Sequence, residues 1–346
     1  MMTFLRILLL PFSFIYFIII YIRNFLYNNN IFKSHQISKP VISIGNITTG
    51  GTGKSPFVIF LSEFLIEQNL IPAIVSRGYK RKSNDIEIVY NGSEISCTID
   101  KCGDEPMMIA NDLSGNYKDF YVITGSNRVE TSYHTINNYN PDIIILDDAF
   151  QHRRIGRNLD IVLIDTEETI KNKFISSLIL PAGNLRECYG NLKRADIIIQ
   201  NNKFNNFDIL KNLEKYTKEI FVLNYSVKGF YDINNTEYDI NGKDIYAFAG
   251  IAKPVSFFDK LKKYNCNFID TVAFGDHHNY NLVDISRITS KATKETYFIT
   301  TEKDFAKIKI FTDFIKYFNV LFMKIELNLN ESDRFFSLVK NIFLNK

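Results

Sequence analysis

Six short apolar runs constrain what this chain can fold into: Val41 to Ile44, Ala73 to Val75, Tyr121 to Ile123, Ile143 to Leu146, Ile161 to Ile164 and Ile197 to Ile199. They are nearly continuous in Ile and Val rather than alternating with polar residues. Strands of that kind are covered on both faces, and with helical stretches between them they predict a mostly parallel α/β sheet. Asp85 to Tyr90 alternates instead and is expected near an edge. A second, smaller α/β unit is predicted from Ile245 to Phe248, Thr296 to Thr301 and Val320 to Ile325. Between the two, residues 229–243 are polar and rich in Asn and Gly, as in a hairpin-like connector. The expected division is therefore 1–30 as an N-terminal helix, 31–228 as the main domain, 229–243 as linker and 244–346 as the C-terminal domain. A chain of 346 residues is comfortable for two domains.

The first run leads into Thr48-Thr49-Gly50-Gly51-Thr52-Gly53-Lys54-Ser55, and Phe57 to Leu65 then has helical spacing. Strand, glycine loop and helix are the context in which backbone N–H groups converge on phosphate at a helix N-terminus. Lys54 is placed to reach the β and γ phosphates and Ser55 to ligate Mg2+, so ATP or GTP is the implied ligand. The usual motif has glycine six residues before the lysine; here that residue is Thr48. Asp147 and Asp148 follow the strand ending at Leu146, the position from which a carboxylate holds magnesium in P-loop proteins. Gln151, His152 and Arg153 continue this polar cluster on the expected ligand edge.

Other residues leave two readings open. Asp104 and Glu105, before Pro106, suit either a helix N-terminus or acid–base and metal chemistry. Arg77 and Arg128 each follow a strand, where a guanidinium either meets phosphate or makes a surface ion pair. Arg186 and Glu187 end a Pro/Gly loop, Leu180 to Leu185, that is either a substrate loop or a plain turn. Asp276-His277-His278 alone does not establish a metal site. The cysteines (Cys97, Cys102, Cys188, Cys266) contain no Cys-x-x-Cys pair, which excludes the usual zinc frameworks. The net charge of +3 balances 41 basic against 38 acidic residues, so no nucleic-acid partner is expected.

From Ile7 to Ile22 the chain carries no charge, between Arg6 and Arg23. This stretch covers about 24 Å as a helix, short of a ~30 Å bilayer core unless flanking aromatics join it. It reads as apolar on every face, hence as a membrane-inserted or interfacial anchor, with a core helix as the rival. A secretory signal is disfavoured because no small-residue cleavage site follows.

Taken together, the glycine loop, Ser76-Arg77-Gly78-Tyr79, Gly103-Asp104-Glu105-Pro106, Asp147 to Arg153, Leu180-Pro181-Ala182-Gly183 with Leu185-Arg186-Glu187, Ala249-Gly250-Ile251, Asp276-His277-His278 and Thr301-Glu302-Lys303-Asp304 resemble tetraacyldisaccharide 4′-kinase, the membrane-associated lipid A 4′-kinase family of Gram-negative bacteria. Thr48 is normal for that family; Ala149-Phe150 and Asn184 depart slightly from it. The resemblance implies a P-loop NTPase-like fold using ATP and Mg2+, and an acceptor that is a lipid A disaccharide 1-phosphate phosphorylated on its 4′-hydroxyl. It implies Asp104 as proton acceptor supported by His277, with Lys54 and Arg128 answering developing charge. Ser55, Glu105, Asp147 and Asp148 are the implied magnesium set; Arg77, Gln151, His152, Arg186 and Glu187 are the implied substrate contacts. The expected place is the cytoplasmic face of the inner membrane. The rival is a membrane-tethered ATPase switch of the partitioning type, whose signature lysine before the two glycines is Thr49 here.

Overall fold

The computed structural model describes residues 6–78, 81–171, 177–251, 253–276, 278–293 and 295–344. Two compact units divide the chain: the first runs to Asn224 and resumes at Leu327, and the second is Tyr225–Glu326.

The first unit opens with helix α1 (Leu10–Asn28). Its parallel sheet is built from β1 (Val41–Asn46), β2 (Pro72–Ser76), β4 (Tyr121–Thr124), β5 (Ile143–Asp147), β6 (Leu159–Asp165), β7 (Ile197–Lys203) and the start of β8 (Ile220–Tyr231), with β3 (Glu87–Tyr90) on the edge. Their order is β8-β7-β6-β1-β5-β2-β4-β3, and only β3 is antiparallel to its neighbour in this set. The Ile and Val runs are buried throughout, as continuous apolar strands require. Helices α2 (Lys54–Glu67), α3 (Ile99–Cys102), α4 (Asp104–Ser114), α5 (Arg128–Tyr139) and α6 (Thr166–Lys171) connect these strands. Because β1 lies between β5 and β6, the C-terminal ends of all three strands open on the same edge. That edge of an open parallel sheet is where ligands bind.

The second unit has its own parallel strands, β10 (Asp244–Ala249), β11 (Asn267–Ala273), β12 (Tyr297–Thr301) and β13 (Asn319–Leu329), in the order β11-β10-β12-β13. With them lie α7 (Pro254–Leu261), α8 (Leu282–Thr289), α9 (Glu302–Ile308) and α10 (Thr312–Tyr317), around a core that includes Phe248, Phe298 and Ile308.

The structure divides the chain differently from the expected boundaries. Residues 229–243 are not a free linker: β8 continues to Tyr231 and pairs antiparallel with β9 (Glu237–Tyr238). The C-terminal segment does not stay with the second unit. Helix α11 (Ser332–Leu344) returns to the first, where buried Phe335 meets Phe57 and Phe221 edge-on and Phe336 stacks on Phe64 with centroids 3.7 Å apart. Aromatic burial of this size outweighs sequence proximity in deciding where a terminal helix packs.

Helix α1 is not apolar all round. Ser13, Ile20 and Asn24 are buried on one narrow stripe while Phe12, Phe14, Ile15, Ile19 and Ile22 stay exposed. The stripe docks on the loop before the 3₁₀ turn Tyr189–Arg194. Ser13 Oγ donates to Ile179 O at 3.0 Å and accepts from Ala182 N at 2.9 Å, and Tyr16 donates to Arg186 O at 3.3 Å. Ser13 and Asn24, eleven residues apart in an otherwise oily stretch, carried this signal.

Candidate active site

The phosphate loop begins where β1 ends. A Cβ on Gly45 would sit 2.6 Å from Phe150, so only glycine lets β1 pass the turn after β5. Gly50 (φ 103°) and Gly53 (φ 86°) hold left-handed or otherwise forbidden conformations that turn the chain into α2. Lys54 and Ser55 then open that helix, with Ser55 buried and backbone N–H groups directed to its N-terminus. A neighbouring loop and the strands β1 and β7 brace the phosphate loop from behind. Arg186 N donates to Ile47 O at 2.7 Å and Thr49 N to Asn184 O at 2.8 Å. Asn46 Nδ2 reaches Thr52 Oγ1 at 2.9 Å, Asn201 Nδ2 reaches Thr52 O at 2.9 Å, and Lys203 Nζ reaches Gly51 O at 2.8 Å. Thr48 is buried and bridges to Leu185, which is why a side chain is tolerated where the common motif has glycine.

The carboxylate pair stands beside this loop. Asp148 lies 3.4 Å from Lys54 Nζ, and both of its oxygens accept from Arg186 Nη1 at 2.8 and 2.9 Å. Its burial opposes ionisation, but Lys54 and Arg186 outweigh it and bring the carboxyl down to about 2. Asp147 is fully enclosed; Ser76 Oγ donates to its Oδ2 at 3.1 Å while Oδ1 has no partner. Burial first, then the nearby Glu105 and Asp148 charges, push the Asp147 carboxyl up to about 7. A buried carboxyl oxygen left without a donor beside a helix that begins Lys-Ser fits a divalent cation. Among the described residues no group of three or more His, Cys, Asp or Glu gathers around one point. Magnesium relies on water and substrate phosphates more than on a protein cage, so it needs few protein ligands. Asp147 and Ser55 are the residues that fit it; Asp148 is already engaged by two cations.

Several expected contacts take other positions. Arg128, expected at the transferring phosphoryl group, is buried and donates Nη2 to Asp147 O at 2.8 Å and Asp148 O at 3.0 Å, so it clamps the carboxylate turn. Asp148 sits at φ 46°, a left-handed residue that this clamp stabilises. Glu187, expected at the substrate, has no exposure: Arg23 (2.8 Å), Asn24 (3.0 Å) and Arg194 (2.6 Å) enclose its carboxylate and tie α1 to the loop. A carboxylate at that depth is kept by its donors and does not face a ligand. Gln151 Nε2 donates to Asn46 O at 2.8 Å, bracing the loop. His152 is brought down to about 3 by burial and by Arg128 and Arg157, so it is neutral. Arg77 is exposed just beyond β2. Asp104 and Glu105 form the first turn of α4 after Gly103 (φ 92°), and Asp104 Oδ1 accepts from Glu105 N at 3.1 Å.

In the second unit, Asp304 Oδ2 accepts from Gly250 N at 2.9 Å and Thr301 Oγ1 at 2.7 Å, and His278 Nε2 meets Asp284 Oδ2 at 2.9 Å. His277 lies outside the described residues.

Sequence reasoning missed Ser76, Arg157, Asn201 and Lys203. Arg157 donates to Ala149 O at 2.8 Å and to Asp160 at 2.6 Å, pinning the turn after β5. Ser76, Asn201 and Lys203 sit at the C-terminal ends of β2 and β7, and the rule that ligands gather at those ends was the signal available.

A strand, glycine loop and helix at the centre of a parallel sheet, with a carboxylate pair at the end of the adjoining strand, define a P-loop nucleotide-binding protein. The family model described as tetraacyldisaccharide-1-P 4′-kinase (LpxK) matches residues 5–343, and the chain belongs to that family. Similar proteins include a tetraacyldisaccharide 4′-kinase of Desulfotalea psychrophila, 35% identical over 312 residues and 87% of each chain. One from Chlorobium phaeobacteroides is 32% identical over 98% of each chain. The crystal structure of an "apo" form of LpxK from Aquifex aeolicus in complex with ATP, at 28% identity, superposes with a TM-score of 0.80 over 98% of this chain and 99% of that one.

Proposed function

We propose that this protein is an ATP-dependent tetraacyldisaccharide 4′-kinase, transferring the γ-phosphoryl group to the 4′-hydroxyl of a lipid A disaccharide 1-phosphate. The observation that carries this reading is the arrangement around Asp147 and Asp148: an unpartnered buried carboxylate oxygen and a lysine held in reserve at the mouth of a phosphate loop. At 3.4 Å the Lys54 to Asp148 pair is loose, so an incoming triphosphate takes Lys54 over while Arg186 keeps Asp148 charged and in place. Backbone N–H groups at the start of α2 receive the β and γ oxygens. Ser55 and Asp147 would hold magnesium, which would supply charge neutralisation for those oxygens. Asp104 accepts the proton of the attacking hydroxyl, and Glu105 adds negative charge near the metal side. Arg128 contributes by holding the carboxylate turn rather than by touching phosphate.

The exposed apolar face of α1 supports membrane attachment. The helix is long and apolar enough to cross a bilayer by length and composition, and most of its apolar side chains are uncovered. Its polar stripe is already used against the loop at residues 179–187, so the exposed face lies in the lipid at the cytoplasmic surface of the inner membrane, where the acceptor resides.

The test is transfer of label from γ-labelled ATP to a tetraacylated disaccharide 1-phosphate by purified protein with magnesium. Transfer to the lipid is the expected result. ATP hydrolysis with no transfer overturns the kinase reading in favour of an ATPase switch.

A further inference from the structure

We propose that Lys203, seated by Asp165 and seconded by Asn201, is a positioning residue that sets the phosphate loop for the nucleotide; this rests on the reading of that loop as the ATP cradle. The tip of the loop lacks packing of its own. Gly50 and Gly51 are exposed, and a Cβ on either would meet nothing within 4 Å. Two side chains from the end of β7 reach it instead: Lys203 Nζ donates to Gly51 O at 2.8 Å and Asn201 Nδ2 to Thr52 O at 2.9 Å.

Both are themselves fixed. Lys203 Nζ lies 2.6 Å from Oδ2 of buried Asp165, whose Oδ1 accepts from Glu168 N at 3.0 Å. Lys203 occupies a left-handed conformation (φ 53°) with its N–H donated to Asn201 Oδ1 at 3.0 Å. Asp165 and Asn201 are register partners on β6 and β7, and β6 pairs with β1, from which the loop springs. The strut therefore stands on the same rigid strands that define the loop's base.

A phosphate cradle binds through N–H groups, and its carbonyls must be turned away from the anion. Within one peptide the C=O and the next N–H point in opposite directions. Holding the Thr52 carbonyl from behind thus directs the Gly53 N–H forward, and holding the Gly51 carbonyl keeps that oxygen off the phosphate path. Because the Lys203 charge is paired with Asp165, its contribution is loop geometry and not an additional phosphate-binding charge.

The experiment is steady-state kinetics of the full chain with ATP and lipid acceptor varied separately. Lys203→Met is expected to raise KM for ATP about tenfold, the equivalent of ~1.4 kcal/mol, with kcat and the acceptor KM near wild type. Lys203→Arg recovers most of the loss. Asp165→Asn raises KM for ATP in the same direction, because a lysine without its seat no longer holds Gly51. Unchanged KM in Lys203→Met overturns the strut. So does a lowered KM in Asp165→Asn, which would mark Lys203 as a direct phosphate ligand. Should Lys203→Met fail to fold, Asn201→Ala removes the Thr52 tie together with the acceptor of the Lys203 N–H, and carries the same KM criterion. Wild-type protein that binds no ATP sinks the nucleotide reading itself, a result distinct from any of these.

Discussion

Asp147 and Asp148 are adjacent in the chain, yet their carboxyls are held on opposite sides of the ordinary carboxylate range. Asp147 is enclosed and unpartnered on Oδ1, and burial with the Glu105 and Asp148 charges raises it to about 7. Asp148 is brought down to about 2 because Lys54 and Arg186 outweigh its burial. Environments that separate two neighbouring carboxyls divide their roles. Asp148 is held as an anion by Lys54 and Arg186; Asp147, in the role proposed for it, would ionise on binding magnesium.

This separation has a signed pH consequence. The folded Asp147 binds a proton more tightly than the unfolded one, so between about pH 4 and pH 7 it costs the native state stability as pH rises. His152, held neutral, works in the opposite sense over part of that window, so the whole-protein curve mixes the two. The comparison with Asp147→Asn isolates the carboxylate: without magnesium the variant's melting temperature gains on wild type from pH 4 to pH 7 and levels off above. A constant difference across that range would contradict the burial of an ionisable group there. Magnesium competes with the same proton, so metal-dependent ATP binding weakens below about pH 7 in wild type.

Glu187 supplies a second expectation. Its buried carboxylate is shared by Arg23, Asn24 and Arg194. Removing one member of a buried ion-pair set leaves uncompensated charge, and with Arg23 partly exposed Glu187→Ala is expected to cost about 2–4 kcal/mol. Chemical denaturation gives that number, and limited proteolysis reports whether α1 detaches. Loss of lipid transfer with unchanged stability would instead return Glu187 to the substrate.

Much of this was legible beforehand for physical reasons. Strands buried on both faces must be continuous in apolar residues, so β1, β2, β4, β5, β6 and β7 were readable from Ile and Val alone. The loop was readable because Gly50, Gly51 and Gly53 before Lys54 have little other use. What stayed hidden depends on depth and partner. Nothing local distinguishes Arg128 as a buried clamp from an exposed finger, since that depends on which carbonyls the turn after β5 presents. Glu187 looked like a substrate contact because its partners, Arg23 and Asn24, lie more than 160 residues away. The return of α11 was invisible for the same reason: Phe335 and Phe336 find Phe57 and Phe64 across most of the chain.

That return is testable through Phe335, which is fully buried between Phe57 and Phe221. Phe335→Ala opens a cavity beside the helix that begins with Lys54, at an expected cost of about 3–5 kcal/mol. Equilibrium unfolding measures it. A cost below ~1 kcal/mol would mean that α11 does not pack on α2 in solution.

Asp104 begins α4 at the end of the sheet where the loop opens, and its expected contribution is modest for a proton acceptor. Phosphoryl transfer has a loose transition state in which proton removal is late. Asp104→Ala is therefore expected to lower kcat about 10²-fold, the lower end for general-base groups, with KM for ATP little changed. Full activity in that variant would remove Asp104 as base.

The division of α1 into a docked stripe and an uncovered face yields the last expectation, and it separates membrane attachment from folding. Deleting the helix would release the protein from membranes but would also expose Glu187 and strip Ser13 from Ile179 and Ala182. Substituting only the uncovered face avoids that confusion. Ile15, Ile19 and Ile22 are each more than half exposed and lie outside the buried set Ser13, Ile20 and Asn24. Replacing all three by serine removes most of the transfer free energy of those side chains into lipid, roughly 1.5–3 kcal/mol apiece for full burial. The triple variant is expected to keep the wild-type melting temperature and to phosphorylate a detergent-solubilised acceptor. It should also move from the membrane pellet to the supernatant. If it stays tightly bound to vesicles, the exposed face is not what holds the protein at the bilayer. If it unfolds instead, that face is covered by protein rather than lipid.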